Sequence, residues 1–154
     1  MIDPLRIASG IDVAAEALIW AESQLAKAAG KPLLIYSSAD PSAVQAVQGQ
    51  LGASEAGAMV EQTLGRIARG LLDLGVRQLV VAGGETSGAC VQALGVTLLR
   101  IGSQIDTGVP WCYALVNTDS ANAAPQGLHL ALKSGNFGTD DFFIKAFKSL
   151  STAA

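Results

Sequence analysis

The sequence lacks most of the signals that usually announce a function. It has one histidine in 154 residues, and only 15% of its residues are charged. No basic cluster offsets the net charge of −3, which argues against nucleic acid as a partner. Cys90 and Cys112 have neither metal-ligand spacing nor the density of a secreted disulfide framework, so reduced thiols in a cytoplasmic protein are expected. No apolar run reaches the roughly 18 residues that a membrane span needs, and Met1-Ile2-Asp3-Pro4 does not read as a signal peptide. Aromatic residues are 5% of the chain, which leaves the core to Ala, Leu, Val and Ile.

Half of the residues are hydrophobic and 17 are glycine, a balance that suits one folded α/β domain over 1–154, rich in tight turns. Apolar positions at helical spacing predict a helix from Asp12, as N-cap, to about 29, stopped by Gly30. "LLIYS" at 33–37 predicts a buried strand, and Asp40-Pro41 a new helix fading by Gly49 or Gly52. The strongest helical pattern is 54–74, where Met59, Val60, Leu64, Ile67, Ala68, Leu71 and Leu72 form one stripe and Gly75 follows as C′ residue.

Strands are then expected at 77–83 (buried on both faces), 96–101, 109–116 and 128–133, with a short helix at 86–94 and a terminal helix capped by Thr139 or Asp140. "NTDSANAAPQG" reads as an exposed loop. The sum is a three-layer α/β fold: a mixed, partly parallel sheet with helices on both faces.

Two glycine turns carry the chemistry. In "VVAGGETSG" an apolar strand meets Gly83 and Gly84, then Glu85, Thr86, Ser87 and Gly88, with a helix beyond. Glycines let backbone N–H groups approach an anion, and a helix N-terminus adds partial positive charge. Thr86 and Ser87 add hydroxyls, while Glu85 would repel a phosphate unless a cation such as Mg²⁺ lay between them. The Walker lysine and the Gly-x-Gly-x-x-Gly pattern are both missing. A tight turn capped by Thr86 or Ser87 accounts for the same residues, and both readings stay open. The second turn, "LKSGNFG", offers Lys133 as a cation, with Gly135 and Gly138 for close backbone approach.

Asp106 in "IGSQIDTGVPWC" fits a turn former better than a ligand, and Trp111 a packing residue. His129 has no cysteine or acid partner and is assigned no role. No nucleophile–base pair or metal-ligand cluster emerges, so the catalytic residues stay unassigned and no metal ligand is named.

At "VVAGGETSGACVQALGV", "LRIGSQIDTGVPWC" and "LALKSGNFGTDDFF" the sequence resembles the four-carbon acid sugar kinase family, of the 3-oxo-tetronate kinase type, in its carboxyl-terminal nucleotide-binding domain. The resemblance runs in order along nearly the whole chain. It implies ATP and Mg²⁺ as co-substrates and a four-carbon sugar acid (3-oxo-tetronate, erythronate or threonate) as acceptor. It places the nucleotide on Gly83, Gly84, Glu85, Thr86, Ser87 and Gly135, with Lys133, Ser134, Asn136 and Gly138 as neighbours; Asp106 belongs to the family-like motif, and its catalytic role is left unassigned.

The family's amino-terminal sugar-acid-binding domain, with its Asp-Asp-x-Thr-Gly-type motif, has no counterpart in these residues. Neither has a Gly-Ser-Cys-Ser-like turn that also reaches nucleotide. A fragment or split subunit is therefore expected, inactive alone and needing that domain in cis or in trans, with room for a homo-oligomer. A stand-alone nucleotide-binding or regulatory module is the alternative.

Overall fold

The computed structural model describes residues 1–28, 30–37, 49, 52–117 and 124–151. Helix α1 (Pro4–Ala8) starts on Asp3, whose side chain accepts the Leu5 N–H at 2.9 Å. Helix α2 (Val13–Leu25) starts on Asp12, which accepts from Ala15 N–H at 3.1 Å and so satisfies a donor the helix cannot. It ends at Leu25, earlier than its pattern suggests. Helix α3 (Ala53–Asp73) follows the predicted stripe closely, with Thr63, Ile67, Ala68 and Leu72 buried. Gly75, at φ +90°, ends it.

Strand β1 (Gln78–Ala82) leads into helix α4 (Gly84–Ala93), and then come β2 (Arg100–Asp106), β3 (Val109–Val116), β4 (Gln126–Lys133) and helix α5 (Phe142–Ser151). The sheet order is β1-β4-β3-β2. β1 and β4 run parallel, whereas β4/β3 and β3/β2 are antiparallel. Alternation along the strands divides the apolar residues between two layers. Ala114, Val116, Leu128 and Leu130 pack with Val81 against Ala68 and Leu72 of α3, Cys90 of α4 and Leu94, the residue that follows α4. Val109, Trp111 and Ala131 pack on the other face against Phe142 and Ala146 of α5. The mixed sheet with helices on both faces is the expected fold class.

The α3–α4 contact depends on Gly65, where a Cβ would lie 3.2 Å from the Ala89 carbonyl oxygen. Leu72, Leu94, Leu128 and Leu130 are at most 1% exposed, and burial of each contributes about 1.5–3 kcal/mol.

Several expectations need correction. Residues 33–37 form no ladder: the segment makes one parallel bridge, Ile2 to Ser37, and Leu34 is 62% exposed. Among the described residues β1 is therefore an edge strand, with Gln78 and Ala82 exposed, rather than a strand buried on both faces. β2 begins at Arg100 instead of 96, because the hairpin turn at Gly108 (φ +76°) sets its register against β3. It is exposed along most of its length, so no apolar run marked it in the sequence. β4 starts two residues early, inside the presumed loop. The helix expected after Asp40-Pro41 falls mostly on residues outside those described.

Trp111 is a packing residue, its indole N–H donating to the Ala146 carbonyl at 3.0 Å. His129 stands edge-on to Trp111 and Tyr113. Cys90 and Cys112 are free, and burial pushes the Cys90 thiol up to about 11. No helix among the described residues is long and apolar enough to cross a membrane.

Candidate functional site

Because β1 and β4 are parallel neighbours, their carboxyl ends emerge side by side, with Ala82 across from Lys133. The two glycine turns start at that rim. They are joined directly: the Gly83 N–H donates to the Lys133 carbonyl at 2.8 Å. Open α/β sheets collect ligands beyond the carboxyl ends of their strands, which is where both turns lie.

In the first turn Gly83 has φ +117° and ψ +130°, a conformation closed to other residues without strain. It, and neither Thr86 nor Ser87, is the N-cap of α4, and no side chain caps this helix. Its carbonyl accepts the Ser87 N–H at 2.9 Å. The N–H groups of Gly84, Glu85 and Thr86 consequently have no acceptor within the helix and stand at its positive end. The helix begins two residues before the expected Thr86, so Gly84 is its first residue. A Cβ at Gly84 or at Gly88 would meet nothing within 4 Å. The Ser87 hydroxyl is buried without a hydrogen-bond partner among the described residues.

Glu85 is exposed and lies beside Glu61 of α3. Burial, then the Glu85 charge and a shared hydrogen bond, push the Glu61 carboxyl above its usual range. Sequence reasoning passed over Glu61, which lies outside the apolar stripe predicted for α3. The only signal was its position one turn before Gly65, the residue that admits α4.

The second turn is arranged differently. Lys133 Nζ donates to the carbonyls of Gly135 at 2.8 Å and Ser134 at 3.2 Å, and lies 5.9 Å from the centre of the Phe142 ring. Its charge is folded back onto its own loop. Ser134, Gly135 and Asn136 are exposed, and a Cβ at Gly135 would meet nothing within 4 Å. Gly138, at φ +88°, leaves no space for a Cβ beside Phe142. Phe137 packs on Gly108 of the β2–β3 hairpin.

Asp106, at the end of β2, accepts from the Thr139 N–H at 3.1 Å and the Thr139 hydroxyl at 2.9 Å through one oxygen, and from Lys145 Nζ at 2.5 Å through the other. The Lys145 hydrogen bond, more than the Thr139 contacts, holds its carboxyl at about 2. Asp106 therefore ties the hairpin to the entrance of α5. That helix begins at Phe142, with Thr139 bonded to Asp106 and Asp141 instead of serving as its cap.

The sequence-predicted binding residues thus gather at one rim, with Gly83 and Lys133 in contact through the backbone. A cleft of about 510 Å³ lies elsewhere, along the outer side of β1. Among the described residues no group of three or more His, Cys, Asp or Glu could hold a metal ion.

Residues 1–143 match the family model described as a nucleotide-binding C-terminal domain. A 3-oxo-tetronate kinase of Pseudomonas savastanoi pv. phaseolicola is 56% identical over 99% of this chain and 33% of its own length. One from Burkholderia multivorans is 54% identical over the same shares. The chain thus spans about a third of the length of these curated relatives. A solved Haemophilus influenzae protein is 34% identical, with a TM-score of 0.78 over 96% of this chain and 33% of that one. With a mixed sheet, two glycine turns at one rim and a match over 143 residues, this chain belongs to the nucleotide-binding C-terminal domain family.

Proposed function

We propose that this chain is the ATP-binding part of a kinase that phosphorylates a four-carbon sugar acid, of the 3-oxo-tetronate, erythronate or threonate class. The observation that carries the reading is the 2.8 Å bond from Gly83 N–H to the Lys133 carbonyl, which sets both glycine turns at the mouth of one parallel strand pair. The unused N–H groups of Gly84, Glu85 and Thr86 suit phosphate oxygens, and the open space over Gly84, Gly88 and Gly135 admits them. Ser134 and Asn136 are the exposed polar residues of the second turn. The relatives named 3-oxo-tetronate kinase support the reaction and its acceptor.

Mg²⁺ would take most of its oxygens from phosphate and water, with Glu85 able to help hold it through water. A divalent cation there also relieves the repulsion between Glu85 and phosphate. Phosphoryl transfer rests on holding the acceptor hydroxyl in line with the γ-phosphate and stabilising charge. This chain supplies the first reactant's clamp. Asp106 is engaged through both oxygens and offers no base.

The acceptor site and the base are assigned to the sugar-acid-binding domain, in cis or in trans. Orientation of two reactants supplies about 7–11 kcal/mol of barrier reduction, or about five to eight powers of ten in rate. Calorimetric titration with MgADP or MgATP should therefore give weak binding. ADP release with each acid should appear only when the sugar-acid-binding domain is added. No heat and no thermal shift at millimolar nucleotide would end the reading. Turnover by the 154 residues alone would place a complete active site here.

A further inference from the structure

Phe137 is the only aromatic residue in either glycine turn. Its N–H donates to the Ser134 carbonyl at 3.2 Å, which closes residues 134–137 into a tight turn. The turn carries the ring sideways onto the β2–β3 hairpin, where a Cβ at Gly108 would lie 3.0 Å from the ring edge. Gly108 has φ +76°, so a side chain there would be strained as well as blocked. One edge of the ring is thus seated on bare backbone, yet the residue stays 48% exposed. It belongs to none of the three buried clusters, and among the described residues no aromatic ring packs on it. A lone exposed apolar side chain is ordinary on a protein surface. Its position is what gives this one a use.

Ala82 lies across from Lys133, and the register of β3 on β4, with Trp111 across from Ala131, continues to Val109 beside Lys133. Along the rim the order is therefore Gly83, Lys133, then the hairpin at Gly108. Two strand spacings separate the first from the last, about 10 Å. The helix N–H groups at one end suit phosphate, and the phenyl ring at the other suits a flat, largely apolar group. Between them lies the second turn, with Gly135 bare and Ser134 and Asn136 exposed. A nucleoside diphosphate has the same layout: charged phosphates at one end, a polar ribose, and a flat base at the other.

Resting on the nucleotide reading, we propose that Phe137 is the stacking platform for the nucleobase, so that the nucleotide lies across the ends of β1, β4 and β3 with its phosphates on α4 and its base on the phenyl ring. Every base has a π-face, so the platform favours a nucleoside over bare phosphate more than it chooses among bases. The ring is already seated on Gly108, which keeps the ordering cost of stacking small.

Calorimetry on the 154-residue chain and on Phe137→Ala, with MgADP and with magnesium pyrophosphate, tests this. The parent should bind MgADP more tightly than magnesium pyrophosphate. Phe137→Ala should weaken MgADP at least about fivefold, the low end for loss of one stacked base, and leave pyrophosphate within about twofold. Unchanged MgADP affinity overturns the proposal, and so does an equal loss for both ligands, since the ring would then only hold the turn. A parent that binds pyrophosphate as tightly as MgADP also overturns it, while leaving the phosphate clamp in place. A parent that binds neither ends both readings. Phe137→Trp keeps a ring on Gly108 and reports on it directly. Its emission, beyond that of the parent's Trp20 and Trp111, should change with MgADP and stay constant with pyrophosphate, and a constant emission with both overturns the platform.

Discussion

The two glycine turns share a rim and a hydrogen bond, yet they use their polar groups in opposite ways. In the first, Gly83 caps α4 with backbone alone, and three helix N–H groups have no intrahelical acceptor. In the second, Lys133 bonds to the carbonyls of its own loop, and the loop continues into the Asp106–Thr139–Lys145 cluster. One turn is a set of waiting donors, and the other is a brace that presents a bare glycine. Binding strength should therefore sit in the first turn, and the placement of that turn should depend on the second.

The largest expected effect separates binding from folding within the first turn. Gly84→Val adds a side chain where nothing lies within 4 Å, so the unfolding midpoint should barely move. It should nevertheless keep phosphate from the helix N–H groups. Losing two charge-assisted hydrogen bonds at about 1.5 kcal/mol each predicts about a 100-fold weaker Kd by calorimetry. Gly83→Val does the reverse in order of cause. Its φ of +117° and a Cβ 3.1 Å from Thr86 Oγ1 should lower stability by about 1–3 kcal/mol, measured by urea unfolding. Equal losses of stability and affinity in Gly84→Val would reduce the first turn to a connector. Gly135→Val, with open space but no helix end, should weaken binding about tenfold and leave the midpoint unchanged.

Much of this contrast was legible in the sequence, and the illegible part has identifiable causes. Strand, glycines and helix at 80–94 were read from apolar run and turn chemistry, because both signals are local. The adjacency of the two turns was anticipated only in general terms, since the β1–β4 pairing joins residues about fifty positions apart in sequence. The state of Lys133 was not legible at all: a lysine after a strand looks the same whether it faces solvent or bonds its own loop.

Asp3-Pro4 carries the signature that was read as a helix start at Asp40-Pro41, yet α1 was missed because a five-residue helix has no periodicity to notice. β2 was placed four residues early for a related reason. An exposed edge strand with Gly102, Ser103 and Gln104 at its centre has the composition of a loop, and only pairing with β3 makes it a strand.

The brace can be weakened without touching the rim. Asp106 titrates at about 2 in the folded protein, held down chiefly by Lys145 and then by Thr139, below its ordinary value. A depressed carboxylate stabilises the fold above its unfolded pKa, and that contribution is lost as pH falls through the folded value. Asp106→Asn should thus lower the unfolding midpoint at neutral pH, and its difference from the parent should shrink between about pH 4 and pH 2. A constant difference across that range would mean that shape, and not charge, makes Asp106 matter.

The smallest effect is the most discriminating. Lys133 is the one cation that sequence reasoning aimed at phosphate, and in the folded chain its ammonium donates to the carbonyls of residues 134 and 135. If it keeps those bonds when nucleotide arrives, it contributes only its field across partly exposed space, a contribution of at most about 1 kcal/mol. Lys133→Ala should then weaken MgADP about threefold, with the deficit fading as salt shortens the screening length. The same substitution frees the Gly135 carbonyl, so exchange at the amides of residues 135–137 should quicken even without ligand. A loss of 30-fold or more that persists in high salt would require the lysine to leave its loop and bond phosphate directly. The second turn would then be a latent half of the clamp, and its fold-back a state that the nucleotide must displace.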